Sequence, residues 1–120
     1  EWLESQPADV IERVWYPGLE SHPGHDIAVR QMHGGFGGVL SVQIAGGAEA
    51  AKKFVDYTEI FTLAESLGGV ESLIEVPAAM THASVAGTTL QVPANLVRIS
   101  VGIENADDLI ADLKQALDRL

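Results

Sequence analysis

The residue whose chemistry most needs an explanation is Arg98, which stands alone in the apolar, strand-like run 96–101. A guanidinium stays charged, and burying it without a partner is costly. Four carboxylates of the protein could form an ion pair with it: Glu65, Glu71, Glu75 and Glu104. A small carboxylate ligand, which an arginine can bind bidentately, could also be its partner. These residues alone favour the protein carboxylate narrowly and leave both alternatives open.

A glycine turn about thirty residues earlier could lie next to Arg98. It consists of Glu65-Ser66-Leu67-Gly68-Gly69. Here the hydroxyl of Ser66 and free backbone amides would meet polar atoms of the same ligand. We therefore take residues 63–103, which contain both features, as the stretch most informative about function.

Lysine, histidine and the glycine-rich segment are weaker candidates. Lys52, Lys53 and Lys114 are expected on solvent faces of helices, so none is predicted to form an imine. The histidines, at 22, 25, 33 and 82, lack the ligand spacing of a zinc site, and no metal site is predicted. His82 is interpreted as a hydrogen-bonded structural residue. The glycines of segment 34–38 lead into a strand without a following Lys-Ser or Lys-Thr, which favours a helix stop over a phosphate loop.

Composition excludes several classes of protein. The 120 residues include 17 acidic and 7 basic ones, a net charge of -10, which argues against nucleic-acid or anionic-membrane partners. The absence of cysteine excludes disulfides, thiolate metal sites and cysteine nucleophiles. No apolar run approaches the roughly 20 residues of a membrane span. These features are compatible with a cytoplasmic location, which we predict.

The hydrophobic pattern predicts one α+β domain. Strands are expected at 10–16, 39–44, 60–63 and 96–101, and helices at 22–32, 48–57 and 107–120, the last capped by Asn105 or Asp107. Glu1 to Ser5 is interpreted as the end of a helix that began upstream, stopped by Pro7. The prediction is a two-layer α/β sandwich, with a mostly antiparallel sheet of about four strands and helices on one face.

Two groups of ordered motifs resemble a known family. The first comprises Tyr16-Pro17-Gly18-Leu19, Ser21-His22-Pro23, Arg30-Gln31-Met32 and Gly37-Gly38-Val39-Leu40-Ser41. The second comprises residues 64–73, Pro77, Met80-Thr81-His82-Ala83-Ser84 and residues 97–104. Together they resemble the C-terminal domain of the Cys/Met-metabolism PLP-dependent enzymes, over essentially the whole chain. Among the members, the chain is most similar to cystathionine γ-synthase and γ-lyase.

The resemblance implies that the chain is part of a longer enzyme of transsulfuration. Residues 1–7 would be the end of the helix joining two domains, and residues 8–120 the small C-terminal domain, an antiparallel sheet with helices on one side. Pyridoxal 5'-phosphate (PLP) would be held mainly by a large domain, on a lysine in a Ser-x-Thr-Lys context that does not occur here. The chain alone would be inactive. The full-length enzyme would be a homo-oligomer acting on a homoserine ester, cysteine or cystathionine.

The resemblance also implies roles for four residues. Arg98 matches the arginine that binds the substrate α-carboxylate, and Ser66 matches a serine that also approaches this carboxylate. Glu65 and Leu67 match residues lining the substrate entrance, and Glu65 occupies the position that discriminates lyase-type from synthase-type pockets. Two alternatives remain: a free-standing, non-catalytic ligand-binding or subunit-interaction module, and a structural domain in which Arg98 is only salt-bridged.

Overall fold

The computed structural model describes residues 1–80, 88 and 91–120. A single 3-10 turn at Leu3–Ser5 opens the chain. The strands are β1 (Ile11–Trp15), β2 (Val39–Ile44), β3 (Thr62–Leu63), β4 (Leu73–Glu75) and β5 (Leu96–Ser100). The helices are α1 (His25–Gln31), α2 (Gly47–Tyr57), α3 (Pro77–Met80) and α4 (Ala106–Leu117). Within the described ranges, no helix is both long and apolar enough to cross a bilayer.

The strands of the described part form one open sheet in the order β1-β2-β5-β4-β3. The pairs β1–β2, β2–β5 and β4–β5 are antiparallel, whereas β3–β4 is parallel. The predicted α+β class and mostly antiparallel sheet are therefore confirmed, with five strands instead of about four. The additional strand is β4, whose three residues are all buried. It shows no alternation of apolar and polar residues, which is the signal that identifies a half-buried strand.

The hydrophobic core lies between one face of the sheet and the helices α2 and α4. Val42 of β2 and Val97 of β5 are cross-strand partners on this face, and both are fully buried. Phe54 of α2 and Leu113 of α4 belong to the same core cluster. Burying such a side chain stabilises the fold by about 1.5–3 kcal/mol. Because successive residues of a strand point to opposite faces, this packing sends Arg98 to the face away from these two helices.

Helix α4 is fixed at both its beginning and its middle. The side chain of Asn105 accepts hydrogen bonds from the amides of Asp107 and Asp108, which confirms Asn105 as the cap. In the middle, the buried carboxylate of Asp112 accepts hydrogen bonds from the amides of residues 59–61. The helix therefore also anchors the segment that enters β3.

Helix α1 is shorter than the predicted 22–32. It begins after Gly24, whose amide donates to Nδ1 of His22, and the chain becomes extended again at Met32. Its apolar positions do not form a buried stripe, since Ile27 and Val29 are each 51% exposed. The periodicity of this segment predicts a helix correctly but not a face packed on the core.

Candidate functional site

Arg98 lies in the middle of β5, between two neighbouring strands. Its cross-strand partners are Ser41 of β2 and Glu75 of β4. Residues directly opposite in an antiparallel pair carry their side chains on the same face, about 4.5–5.5 Å apart at Cβ. The sheet register therefore places a hydroxyl and a carboxylate on either side of the guanidinium.

Arg98 forms an ion pair with Glu75. Nη1 of Arg98 lies 2.8 Å from Oε1 of Glu75. The side chain of Glu75 is completely buried, whereas that of Arg98 retains 17% of its accessible surface. The protein carboxylate predicted as one alternative is thus present, and among the four candidates it is Glu75. The exposed part of Arg98 leaves it accessible to a ligand as well.

The glycine turn does lie next to Arg98, as its sequence indicates. Nη2 of Arg98 donates to the carbonyl oxygens of Glu65, at 2.7 Å, and Ser66, at 3.0 Å. A guanidinium has only donors, so the groups that the turn presents to it are carbonyls. The amide of Gly68 donates instead to the hydroxyl of Ser100, at 2.8 Å. The side chains of Glu65, Ser66 and Leu67 are exposed.

The glycine turn belongs to the loop between β3 and β4, residues 64–72. The C-terminal end of this loop is bound to the residues that follow β5 through the carboxylate of Glu104. The carboxylate of Glu104 accepts from the amide of Ser72, at 2.7 Å, and from its hydroxyl, at 2.8 Å. The amide of Gly102 donates to the Ser72 hydroxyl at 2.9 Å. Hydrogen bonds from the Ser72 amide, from its own amide and from the Ser72 hydroxyl lower the pKa of Glu104 below its ordinary value. The carboxylate is therefore ionised at neutral pH.

Sequence reasoning missed Ser72 and Ser100 as parts of this arrangement. One signal was available for Ser100, which follows Arg98 by two positions and so shares its face of the strand. Ser72 is buried but precedes an unpredicted strand, and no local pattern identifies it. The sequence offers Glu104 as a possible partner for Arg98, whereas in the structure it pairs with Ser72.

The other reactive groups do not converge on Arg98. Lys52 and Lys114 have side chains 56% and 61% exposed and lie on helices, as predicted. Lys53 is also exposed on its helix. Nδ1 of His25 lies 2.8 Å from the carbonyl oxygen of Pro17. Among the residues described, no group of three or more His, Cys, Asp or Glu could hold a metal ion. His82 lies outside the described residues.

The glycine-rich segment between α1 and β2 behaves as a connection. Gly34, Gly35 and Gly37 have positive φ angles of 85°, 138° and 82°, which are accessible mainly to glycine. Gly38 is close-packed, because a Cβ there would lie 3.1 Å from the carbonyl oxygen of Val101. The predicted helix stop and tight entry into a strand are confirmed.

A cavity lies on the other face of the sheet, beneath the first residues of the chain. It has a volume of about 360 Å³ and is lined mainly by apolar side chains, including Trp2, Tyr16, Ile99 and Leu113. Ile99 and Leu113 also belong to the hydrophobic core. The cavity is therefore a recess of the core under the first residues of the chain, separated from Arg98 by the sheet.

Three curated relatives are similar to the chain over nearly its whole length. Cystathionine γ-synthase of Mycobacterium leprae is 58% identical over 118 residues, which are 98% of this chain and 30% of that protein. Cystathionine γ-lyase of Saccharomyces cerevisiae is 50% identical over 121 residues, again 98% and 30%. Cystathionine β-lyase of Lactococcus lactis is 50% identical over 122 residues, 99% and 31%. The chain thus spans about a third of the length of these relatives.

A solved structure and a family sequence model also match nearly the whole chain. A crystal structure of metB from Corynebacterium glutamicum superposes with a TM-score of 0.92 at 58% identity, covering 98% of this chain and 30% of that one. The sequence model of the Cys/Met metabolism PLP-dependent enzymes matches residues 1–118. The family is defined by its use of PLP as cofactor. The chain belongs to the family of Cys/Met metabolism PLP-dependent enzymes.

Proposed function

We propose that the chain is the C-terminal substrate-binding domain of a cystathionine γ-synthase or γ-lyase. Residues 1–7 are then the end of the helix that joins two domains, and residues 8–120 form the small domain. The similarity to both kinds of enzyme over nearly the whole chain supports this assignment. Because the chain spans about a third of these relatives, the activity belongs to a longer protein.

The observation that carries the proposal is the accessible guanidinium of Arg98, fixed at the centre of the sheet. Nη1 and Nη2 are held by Glu75 and by the Glu65 and Ser66 carbonyls. An arginine fixed in this way binds the α-carboxylate of an amino acid and sets the orientation of the bonds at its α-carbon. The substrate then loses its translational and rotational entropy on binding, so that this loss no longer adds to the barrier of the chemical step.

The turn residues contribute to the same site. Ser66 lies at the turn whose carbonyl contacts Arg98, so its exposed hydroxyl can approach the bound carboxylate. Glu65 and Leu67 flank it with exposed side chains, which suits residues at a substrate entrance. In this proposal Arg98 and Ser66 bind substrate, and Glu65 and Leu67 determine which amino acid enters.

PLP, when bound, supplies an electron sink for bonds broken at the α-carbon of the amino acid. The residues of this chain do not supply the lysine that carries PLP, since Lys52, Lys53 and Lys114 are all exposed on helices. The lysine and most cofactor contacts are then provided by a large domain beyond this chain. The chain by itself is expected to be inactive, and the full-length protein to be a cytoplasmic homo-oligomer.

The test is kinetic and uses the full-length enzyme that contains this chain. Arg98→Ala and Arg98→Lys should raise KM for the amino-acid substrate by about 10- to 150-fold, the equivalent of a lost hydrogen bond to a charged group. Arg30→Ala, which removes an exposed arginine from α1, is the matched control and should leave KM unchanged. A KM close to that of the wild type in both Arg98 variants contradicts the proposal.

The gene distinguishes this proposal from a free-standing ligand-binding or subunit-interaction module. An in-frame upstream sequence encoding a Ser-x-Thr-Lys context supports the enzyme domain. A start codon directly before Glu1 supports the module. Intact-mass spectrometry of the purified protein then shows which polypeptide is produced, and titration of an isolated chain with amino acids by calorimetry shows whether it binds them alone.

A further inference from the structure

We propose that Glu75 is a positioning residue for substrate binding: it fixes the guanidinium of Arg98 in the orientation that receives the substrate carboxylate. The inference rests on the proposed function, because it needs Arg98 to bind a carboxylate. It assigns to Glu75 a role that acts through Arg98 and involves no contact with substrate.

The first support is the placement of the pair on rigid elements. Glu75 and Arg98 are directly opposite each other in the antiparallel pair β4–β5. Their neighbours Ile74 and Ile99 are also opposite each other, and both are buried in the core on the other face. The backbone of both residues is therefore held by sheet hydrogen bonds on one side and by core packing on the other. The Cα atoms of the two residues therefore cannot separate without disrupting the sheet.

The second support is the energetic cost of Glu75. Its side chain is 0% exposed, between buried Ile74 and buried Val76. Taking a carboxylate out of water costs several kcal/mol, and a buried ion pair commonly only offsets this cost. A well-packed apolar residue would serve stability at least equally well. The ion pair itself therefore adds little to stability, whereas it does fix the orientation of Arg98.

The third support is the division of the donors of Arg98. Nη1 donates to Glu75, and Nη2 donates to the carbonyls of Glu65 and Ser66. These acceptors lie on different elements, the neighbouring strand β4 and the glycine turn, so together they fix the plane of the guanidinium. A guanidinium has five N–H groups, and these three bonds leave donors for a ligand. Without Glu75 the guanidinium would be held from the side of the turn alone.

The experiment separates orientation from charge and uses the full-length enzyme. Glu75→Leu fills the same space without an acceptor, whereas Glu75→Gln retains an oxygen at the same reach and removes the charge. We expect Glu75→Leu to raise KM for the amino-acid substrate about tenfold or more, with a smaller change in kcat. We expect Glu75→Gln to stay within about threefold of the wild type, because the oxygen still accepts from Nη1. Glu71→Gln, a change at an exposed carboxylate of the loop before β4, is the control.

A binding measurement shows whether the effect acts through the carboxylate. The absorbance of the bound cofactor is followed while the enzyme is titrated with glycine and, separately, with methylamine, which differs from glycine only by lacking the carboxylate. Glu75→Leu should weaken glycine binding by about the same factor as it raises KM, about tenfold, and leave methylamine binding unchanged. If Glu75→Leu does not fold, Glu75→Met replaces it, since the flexible thioether tolerates irregular space.

Three outcomes overturn the inference. In the first, Glu75→Leu leaves KM and glycine binding unchanged. In the second, Glu75→Gln is as impaired as Glu75→Leu, so that charge and not orientation matters. In the third, glycine and methylamine weaken equally, as for a general structural defect. Arg98→Ala measured in parallel separates the two proposals, because an unchanged KM in that variant contradicts the proposed function itself.

Discussion

Ser72 presents both its backbone amide and its hydroxyl to the single carboxylate of Glu104, at 2.7 and 2.8 Å. The two residues are 32 positions apart in sequence. The amide of Ile103 also donates to the carbonyl of Val70, at 2.9 Å. The loop that carries the turn beside Arg98 is therefore attached to the residues following β5. The position of this turn depends on a few named hydrogen bonds, each of which can be removed.

Ser72→Ala should destabilise the protein by about 1–3 kcal/mol. The substitution removes the hydroxyl bond to Glu104 and leaves the amide of Gly102 without its acceptor. Urea-induced unfolding measures the change in the free energy of unfolding. Ser5→Ala, which removes an exposed hydroxyl from the first turn, is the control and should change this free energy by less than about 0.5 kcal/mol. Equal stability of the two variants would show that the loop does not depend on Ser72.

The contribution of Glu104 to stability should disappear in acid. Its pKa is lowered in the folded protein, so the folded state favours the ionised carboxylate more than the unfolded state does. The stabilisation is therefore complete above the ordinary pKa of a glutamate, about 4.3, and is lost as the pH falls through the lower pKa of the folded state. Comparing the free energies of unfolding of the wild type and Glu104→Gln from pH 7 to pH 3 tests this. A difference that does not shrink at low pH contradicts the assignment.

Gly102→Ala should be among the most damaging single substitutions in the chain. An added Cβ would overlap the carbonyl oxygen of Val70 and lie 2.6 Å from Oε2 of Glu104. The loop would have to separate from the end of β5, at a cost of more than about 3 kcal/mol. Gly69→Ala is the matched control, because the nearest atom to its added Cβ, the amide nitrogen of Glu71, is 4.0 Å away. Thermal unfolding should show a large fall in Tm for the first variant only.

Asp112 should contribute more to stability than any exposed acid of α4. Burial acts to raise the pKa of Asp112, but hydrogen bonds from the amides of Glu59, Ile60 and Phe61 and from Gln115 outweigh it and lower this pKa. Asp112→Ala leaves these amides without their acceptor and should cost at least about 3 kcal/mol. Asp108→Ala, at an exposed position of the same helix, should cost under about 1 kcal/mol. Chemical denaturation at pH 7 compares them, and similar values would contradict this role.

The elements whose apolar residues repeat at regular spacing were predictable from the sequence. The strand expected at 39–44 is observed at Val39–Ile44, and the helix expected at 48–57 is Gly47–Tyr57. In both, the apolar residues repeat with the spacing of the element, and glycines mark where the element begins. Burial of one face is what produces such a repeat, so elements with one buried face are predictable.

The elements of the candidate site were less predictable. Strand β4 is buried throughout its three residues, so its sequence carries no repeat. Without β4, no local pattern ranks Glu75 above Glu65, Glu71 or Glu104 as the partner of Arg98. The ion pair depends on which strands are neighbours and in which register, and this is long-range information that a local pattern does not contain.

The two faces of strand β4 limit where residues can be inserted or deleted in this protein. Its side chains alternate between the core, for Ile74, and the face with Arg98, for Glu75. A slip of one residue would turn a carboxylate into the hydrophobic core and place an aliphatic side chain opposite Arg98. Within β4, even a single inserted or deleted residue is therefore expected to abolish the site. Relatives that retain the arginine should therefore also retain the spacing from the core residue of β4 to its acid.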